Sequence, residues 1–269
     1  MEVQDIFIYP VKSLGGIRCR QANALQRGFQ YDRRLMLIDE TGTFITQRIE
    51  HRLALLSTQV NESAVTIFHK QNPQEQLSIP LVTPTGTKLS VSIWDDRVSA
   101  LSVSEEADEW FTRFLGRACK LVLMPEDGQR PVDVRYAEHE EHVSFADAFP
   151  FLLIGQGSLD DLNSRLDQPV PMNRFRPNLV VSGAAPFEED SWARIQIGEV
   201  EFKVAKPCAR CILTTVDQNT AIKGKEPLLT LSTYRKQNNK ILFGQNLIAL
   251  SEGIIRENDP VTILSRKIE

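Results

Sequence analysis

The sequence predicts a mainly β protein with some helix, in the α+β class, on three observations. Between about residues 53 and 103 the chain runs in short alternating stretches, 64–68, 76–79 and 88–94, broken by turn residues, as antiparallel strands in a small barrel or sandwich do. Further short apolar or alternating runs follow at 151–154, 179–182, 194–197, 200–204 and 260–264. Helical periodicity is confined to brief segments at 105–115, 158–166 and 228–234.

Taken in order, residues 3–9 read as an opening strand that ends in the loop Pro10-Val11-Lys12-Ser13-Leu14-Gly15-Gly16. A lysine and a hydroxyl in a glycine-containing loop after a strand can hold a phosphate. A solvated turn is the alternative, and the spacing is not that of a P-loop. Residues 35–39 and 44–48, separated by Thr41-Gly42, read as a hairpin. Asn72-Pro73 and residues 83–86 read as hairpin connections, and His51 and His69 are isolated. In the first helix, Ser104 is the expected N-cap, and Ala107, Trp110, Phe111, Phe114 and Leu115 share one face as a core stripe.

A strand at 121–124 precedes a polar stretch, 125–144, long enough to be a functional loop. Its His139 and His142 sit among Glu138, Glu140 and Glu141, which favours a solvated acidic loop over metal ligation. Ser158 is placed to cap the second helix. In Asn173-Arg174-Phe175-Arg176-Pro177-Asn178, two arginines alternate with an aromatic just before a buried strand. That suits a rim for an anion or a ring, with a cationic turn as the alternative. Trp192 reads as a packing anchor.

With 269 residues, 42% of them hydrophobic, the chain can bury one large domain or two closely packed ones. A net charge of -4 argues against binding nucleic acid through bulk charge. There is no run of 18 apolar residues to span a membrane. The N-terminus lacks a basic segment followed by an apolar one, and four scattered cysteines do not make a disulfide framework. A cytoplasmic setting is expected.

The densest chemistry lies in residues 204–217, where Lys206 and Arg210 bracket Cys208 and Cys211. Nearby cations favour the thiolate, which is the nucleophile and metal ligand. A thioredoxin-like pair would open a helix, whereas the β-branched run 212–216 reads as strand. A structural zinc site needs a second close pair, and Cys19 and Cys119 are isolated. The residues alone leave a redox or metal-binding thiol standing beside buried core cysteines.

Cys208-Ala209-Arg210-Cys211 followed by Ile-Leu-Thr-Thr-Val-Asp resembles the signature of MOSC-domain proteins, in the branch of the mitochondrial amidoxime-reducing component and its bacterial counterparts. Tyr9-Pro10-Val11-Lys12-Ser13, the Asn173–Asn178 motif and the Phe243-Gly244-Gln245 and Asp259-Pro260-Val261 elements are similar to that branch as well. The resemblance implies an N-terminal MOSC-associated β-barrel-like domain, residues 1–118, packed on a MOSC β-barrel, residues 119–269, with a molybdenum cofactor (molybdopterin) between them. It implies that Cys211 is the catalytic residue and the thiolate ligand of molybdenum, with Arg210 before it and Cys208 ranked second. Soft thiolate ligation suits a redox-active metal. Lys12, Ser13 and Arg33 would hold the cofactor's phosphate, Arg33 through its planar fork, and Arg48 could lie near the same pocket. Arg176, Asn178 and Asn173 would face the pterin.

The implied reaction is reductive N–O cleavage of small N-hydroxylated substrates (hydroxylaminopurines, amidoximes, hydroxylamines), a detoxification of base analogues among other roles. The ligand spacing of a plant-type [2Fe–2S] cluster is absent. No Fe–S cluster is therefore expected in this chain, and electrons would come from an electron-transfer protein or a ferredoxin-like domain. The alternatives are a cofactor carrier or sulfur-transfer module that uses the same cysteine as a persulfide, and a purely structural β protein.

Overall fold

The computed structural model describes residues 1–81 and 86–267; the expected connection at 83–86 lies largely outside them. The fold is mainly β, with three α-helices among the described residues. Its centre is a nine-stranded sheet that curls into a half-barrel. Strand order runs Val261–Arg266, Trp192–Ile197, Val200–Arg210, Lys240–Ala249, Phe151–Gly155, Leu179–Ser182, Glu2–Ile8 and Ile17–Cys19, with Lys236–Gln237 added on Lys240–Ala249. Phe151–Gly155 pairs with Leu179–Ser182 in parallel. Such a pair needs a crossover, supplied here by the helix Gln156–Asn163 and the chain that follows it. The inner face of the sheet buries Val3, Ile6, Phe29, Phe151, Phe202 and Trp192, the last fully, so Trp192 is a packing anchor.

A four-stranded sheet, Leu35–Ile38, Lys120–Leu123, Asp96–Ser102 and Lys88–Ile93, and a three-stranded one, Leu56–Val60, Ala64–His69 and Asn72–Pro80, form a second body. The helix Glu105–Leu115 packs Trp110, Phe111 and Leu115 onto it. Ser104 Oγ caps that helix by accepting from Ala107 N at 3.1 Å. Strands are exchanged between the two bodies: Glu2–Ile8 joins the large sheet and Lys120–Leu123 the four-stranded one.

Three local expectations are corrected. Residues 44–48 are not a strand. Only Phe44 bridges Ile38, while Ile49 and Glu50 both donate to Thr46 O in a turn. That departure carries Gln47 and Arg48 inward. The second helix begins two residues before Ser158, and the Ser158 hydroxyl donates to buried Glu189 at 2.7 Å instead of capping. The third correction concerns residues 212–216. Ile212–Thr215 is a 3-10 helix, in which Thr214 and Thr215 hydroxyls donate to the Cys211 and Ile212 carbonyls at 3.0 and 2.8 Å. Local side-chain to backbone bonding overrides the strand preference of the β-branched run. The strand-based objection to a thioredoxin-like pair falls with it. Cys208 nevertheless lies within the strand Val200–Arg210, so the pair as a whole does not open a helix.

Candidate active site

The strand Val200–Arg210 is irregular where it meets Lys240–Ala249, with register shifts between Val204 and Lys206 and between Pro207 and Ala209. Proline, which cannot donate to a ladder, is tolerated at such bulges, and bulges re-aim side chains beside functional sites. Here they direct Cys208, Arg210 and then Cys211 towards one cavity of about 680 Å³. Cys211 ends the strand and precedes the 3-10 turn. Arg174 braces that turn, donating to Thr214 O at 3.2 Å and pairing with Asp217 at 2.9 Å.

The same cavity is lined by Lys12, Ser13, Arg33, Arg48, Arg176, Asn178, Cys208, Arg210 and Cys211, residues from both ends of the sequence. Asn173 is the exception: it is exposed in the turn Met172–Arg174 and does not line the cavity. Ser13, Arg33, Trp94 and Arg176 all line the cavity with φ between 50° and 71°. Left-handed backbone at non-glycine residues costs of order 1–3 kcal/mol each and clusters at functional sites.

Tyr9 organises the deep end. Its buried ring lies 4.4 Å from the Arg33 guanidinium and 4.3 Å from that of Arg176, and its hydroxyl donates to Pro177 O at 3.0 Å. Burial pushes its pKa up to about 12, the neighbouring arginines opposing. Gly16 permits this packing, because a Cβ there would sit 2.4 Å from a Tyr9 ring carbon. Asp32, 1% exposed, accepts from Tyr9 N and pairs with Arg33 at 2.6 Å, so it orients the arginine. Asn178 does the same: its Oδ1 accepts from Arg33 at 3.0 Å and its Nδ2 donates to Phe7 O.

Arg176 is 7% exposed, donates to Leu14 O at 2.6 Å and has no carboxylate partner among the described residues. Burial lowers its pKa to about 10. Arg210 also lacks a carboxylate, and its Nε is buried without a partner. Lys12, buried, donates to Phe145 O and Asp147 Oδ1, both at 2.7 Å. Burial lowers its pKa to about 8, partly offset by Asp147. Asp147 in turn is held far below the usual carboxylate range: desolvation pushes its pKa up, and Lys12 and Arg48 outweigh that push. Because its side chain is 51% exposed to the open cleft, solvent screens both pairs.

Arg48 completes the site. Its Nε donates to Cys211 Sγ at 3.1 Å and its Nη2 to Asp147 at 2.6 Å. The sequence offers Arg48 as a weaker candidate, carries Tyr9 and Asp147 only inside longer stretches similar to the family, and gives Arg130 no role of its own. Arg130, 3% exposed, binds the carbonyls of Ser144, Ala146 and Asp147 and so sets the loop that presents Asp147. Within the polar loop, Glu141 accepts from the backbone of Glu138 and His139. Among the described residues, no group of three His, Cys, Asp or Glu gathers to bind a metal.

Fold and site together define a β-rich protein whose cationic cleft is built around a cysteine. The chain matches the MOSC domain over residues 140–262 and the MOSC N-terminal beta barrel domain over residues 1–118. Mitochondrial amidoxime-reducing component 1 of Mus musculus is 35% identical over 98% of this chain and 82% of that protein. A molybdenum cofactor sulfurase of Oryza sativa subsp. japonica is 31% identical over 100% of this chain and 35% of that protein. A crystal structure of the YUAD protein from Bacillus subtilis aligns with 97% of this chain and 93% of that one, at 9% identity and a TM-score of 0.43. The chain belongs to the MOSC-domain family, in the group that includes the mitochondrial amidoxime-reducing components. No helix among the described residues is long and apolar enough to cross a membrane.

Proposed function

We propose that this chain is a molybdenum-cofactor-dependent reductase of N-hydroxylated compounds, with residues 1–118 and 119–269 as its two domains. The observation that carries the reading is the pair of uncompensated arginines, Arg176 and Arg210, in one cavity with Cys211. Burying a cation such as Arg176 without a counter-charge costs several kcal/mol, a cost that a phosphorylated ligand offsets; Arg210 is half-buried, with Nη1 donating to Cys208 Sγ at 3.1 Å. The cavity, about 680 Å³, lies within the size range of cofactor pockets, so the donor set and the space fit a molybdopterin.

Lys12, Ser13, Arg33 and Arg176 would take its phosphate, Arg210 and Cys208 would flank the pterin, and Cys211 would supply the thiolate. When bound, the cofactor supplies the two electrons for N–O cleavage, in which the N-hydroxyl group also takes up two protons and leaves an N–H group and water. Arg48 holds the Cys211 sulfur in place. Asp147 ties up Lys12 and Arg48 until an incoming anion competes for them. Electrons come from an electron-transfer protein or a ferredoxin-like domain. Four free cysteines fit a reducing compartment such as the cytoplasm.

The test is reduction of an amidoxime and a hydroxylaminopurine by cofactor-loaded protein with an artificial electron donor. Amidine and aminopurine should form, and Cys211→Ala should abolish both. A loaded protein that forms neither product is not this reductase. A second reading, a carrier or sulfur-transfer module, draws support from the similarity of the whole chain to part of the rice sulfurase. It predicts cofactor or sulfur transfer without reduction.

A further inference from the structure

Trp94 sits at the turn of the hairpin joining Lys88–Ile93 to Asp96–Ser102. Its φ of 54° is one that small or polar turn residues adopt far more readily than an indole. It is 48% exposed, whereas Trp110 and Trp192 are 6% and 0% exposed.

The indole is nevertheless held in place. The Arg48 guanidinium lies 4.7 Å from its ring centroid, the Phe44 ring lies 4.9 Å away at 65°, and Nε1 donates to Asp147 at 3.4 Å. Arg48 is also the residue that donates to Cys211 Sγ, so one side chain separates the exposed indole from the reactive sulfur. Next to it, Asp95 lines the cavity and has no ion pair among the described residues. The neighbouring Asp96 and Asp133 are engaged by Arg130 and Arg135. The cavity is therefore graded: buried cations around Tyr9, then an exposed aromatic and a free carboxylate at the rim.

We propose that Trp94 and Asp95 form the wall that receives the organic part of the substrate, a flat aromatic or heteroaromatic ring bearing the N-hydroxylated group. An indole is a large, rigid platform for a flat π-system, and stacking one base on an aromatic side chain contributes about 1–3 kcal/mol. The Asp95 carboxylate accepts from the amino or amidine N–H groups such rings carry. This inference rests on the reductase reading and adds a specificity-determining residue, Trp94, that does no chemistry itself.

The experiment has a binding arm and a kinetic arm, both on cofactor-loaded protein. Because the other two indoles are buried, acrylamide quenching of tryptophan fluorescence reports chiefly on Trp94. Benzamidoxime should protect that fluorescence saturably and acetamidoxime should not, and Trp94→Phe should remove the protectable signal. In the kinetic arm, Trp94→Leu should raise KM for benzamidoxime about tenfold, in the lower half of what one stacked ring contributes, with kcat changed less than threefold. The preference for benzamidoxime over acetamidoxime should collapse, and Trp94→Phe should restore part of it. Equal loss on both substrates, or benzamidoxime without protection, overturns the inference. If the parent reduces neither compound yet benzamidoxime still protects Trp94, the wall stands and the reductase reading falls.

Discussion

Arg48 joins the two halves of the site: its Nε donates to Cys211 Sγ at 3.1 Å while its Nη2 grips Asp147 at 2.6 Å. Groups that orient a metal ligand typically change metal affinity 10–100-fold when removed. Arg48→Met should therefore shorten the half-time of molybdenum loss to a chelator about tenfold. Melting should shift little, because a pair with half-exposed Asp147 contributes at most about 1 kcal/mol. Arg48→Lys should not restore retention, since a single ammonium cannot reproduce the planar fork. Unchanged retention in Arg48→Met would show that the contact does not position the sulfur.

Lys12 should make anion binding sensitive to alkaline pH. Burial lowers its pKa to about 8, below the roughly 10.4 of an unfolded chain. Between those values the unfolded chain binds more protons, so this group's contribution to stability rises with pH there. The cost of burying the charge is fully present below about pH 8. Anion affinity runs the other way and falls as pH rises through that value. Sulfate, which does not itself titrate in this range, should bind cofactor-free protein up to about tenfold more weakly per pH unit above 8 by calorimetry. Lys12→Met should flatten the profile.

Tyr9 separates stability from anion binding. Tyr9→Phe keeps the ring against Arg33 and Arg176 and loses only the bond to Pro177 O, so it should cost about 1 kcal/mol in denaturant unfolding. Sulfate affinity should be preserved. Tyr9→Leu removes the ring as well, and with it two cation–π contacts contributing about 1–2 kcal/mol each, between the exposed and the desolvated case. It should cost about 3 kcal/mol and weaken sulfate binding. Equal effects of the two variants would contradict the stacking account.

Asp32 carries a structural load that its neighbour's role conceals. Asp32→Ala leaves Arg33 buried without its carboxylate and Tyr9 N without its acceptor. A loss of about 3–5 kcal/mol is expected, measured as a lower denaturation midpoint. Asp32→Asn keeps a hydrogen-bonding group and should lose less.

What was legible in the sequence was local. The helix Glu105–Leu115 and its Ser104 cap follow from spacing within a single turn and a half-buried face. Residues 194–197 and 200–204 read as strands from alternation, and the observed strands Trp192–Ile197 and Val200–Arg210 run beyond that alternating core. The turn at Ile212–Thr215 was missed because threonine hydroxyls bond back to carbonyls three residues earlier, which composition scores as strand. The cleft was legible where motifs marked it, at Lys12, Ser13, Arg33, Arg176, Asn178, Cys208, Arg210 and Cys211. Arg48, Asp147 and Trp94 meet across 46 to 99 residues of sequence, and no local period announces such a meeting. Asn173 sits inside a motif yet turns out to be exposed, so a motif does not by itself mark every contacting side chain.

The most direct test is molybdenum content, with fluorescence of the oxidised pterin, in the native protein, Cys211→Ala and Cys208→Ala made in cofactor-competent cells. The account predicts metal near one equivalent in the native protein and in Cys208→Ala. Cys211→Ala should lose the metal while keeping a native circular dichroism spectrum. Native protein without metal or pterin, or Cys211→Ala that retains both in full, would contradict the assignment of Cys211 as the ligand.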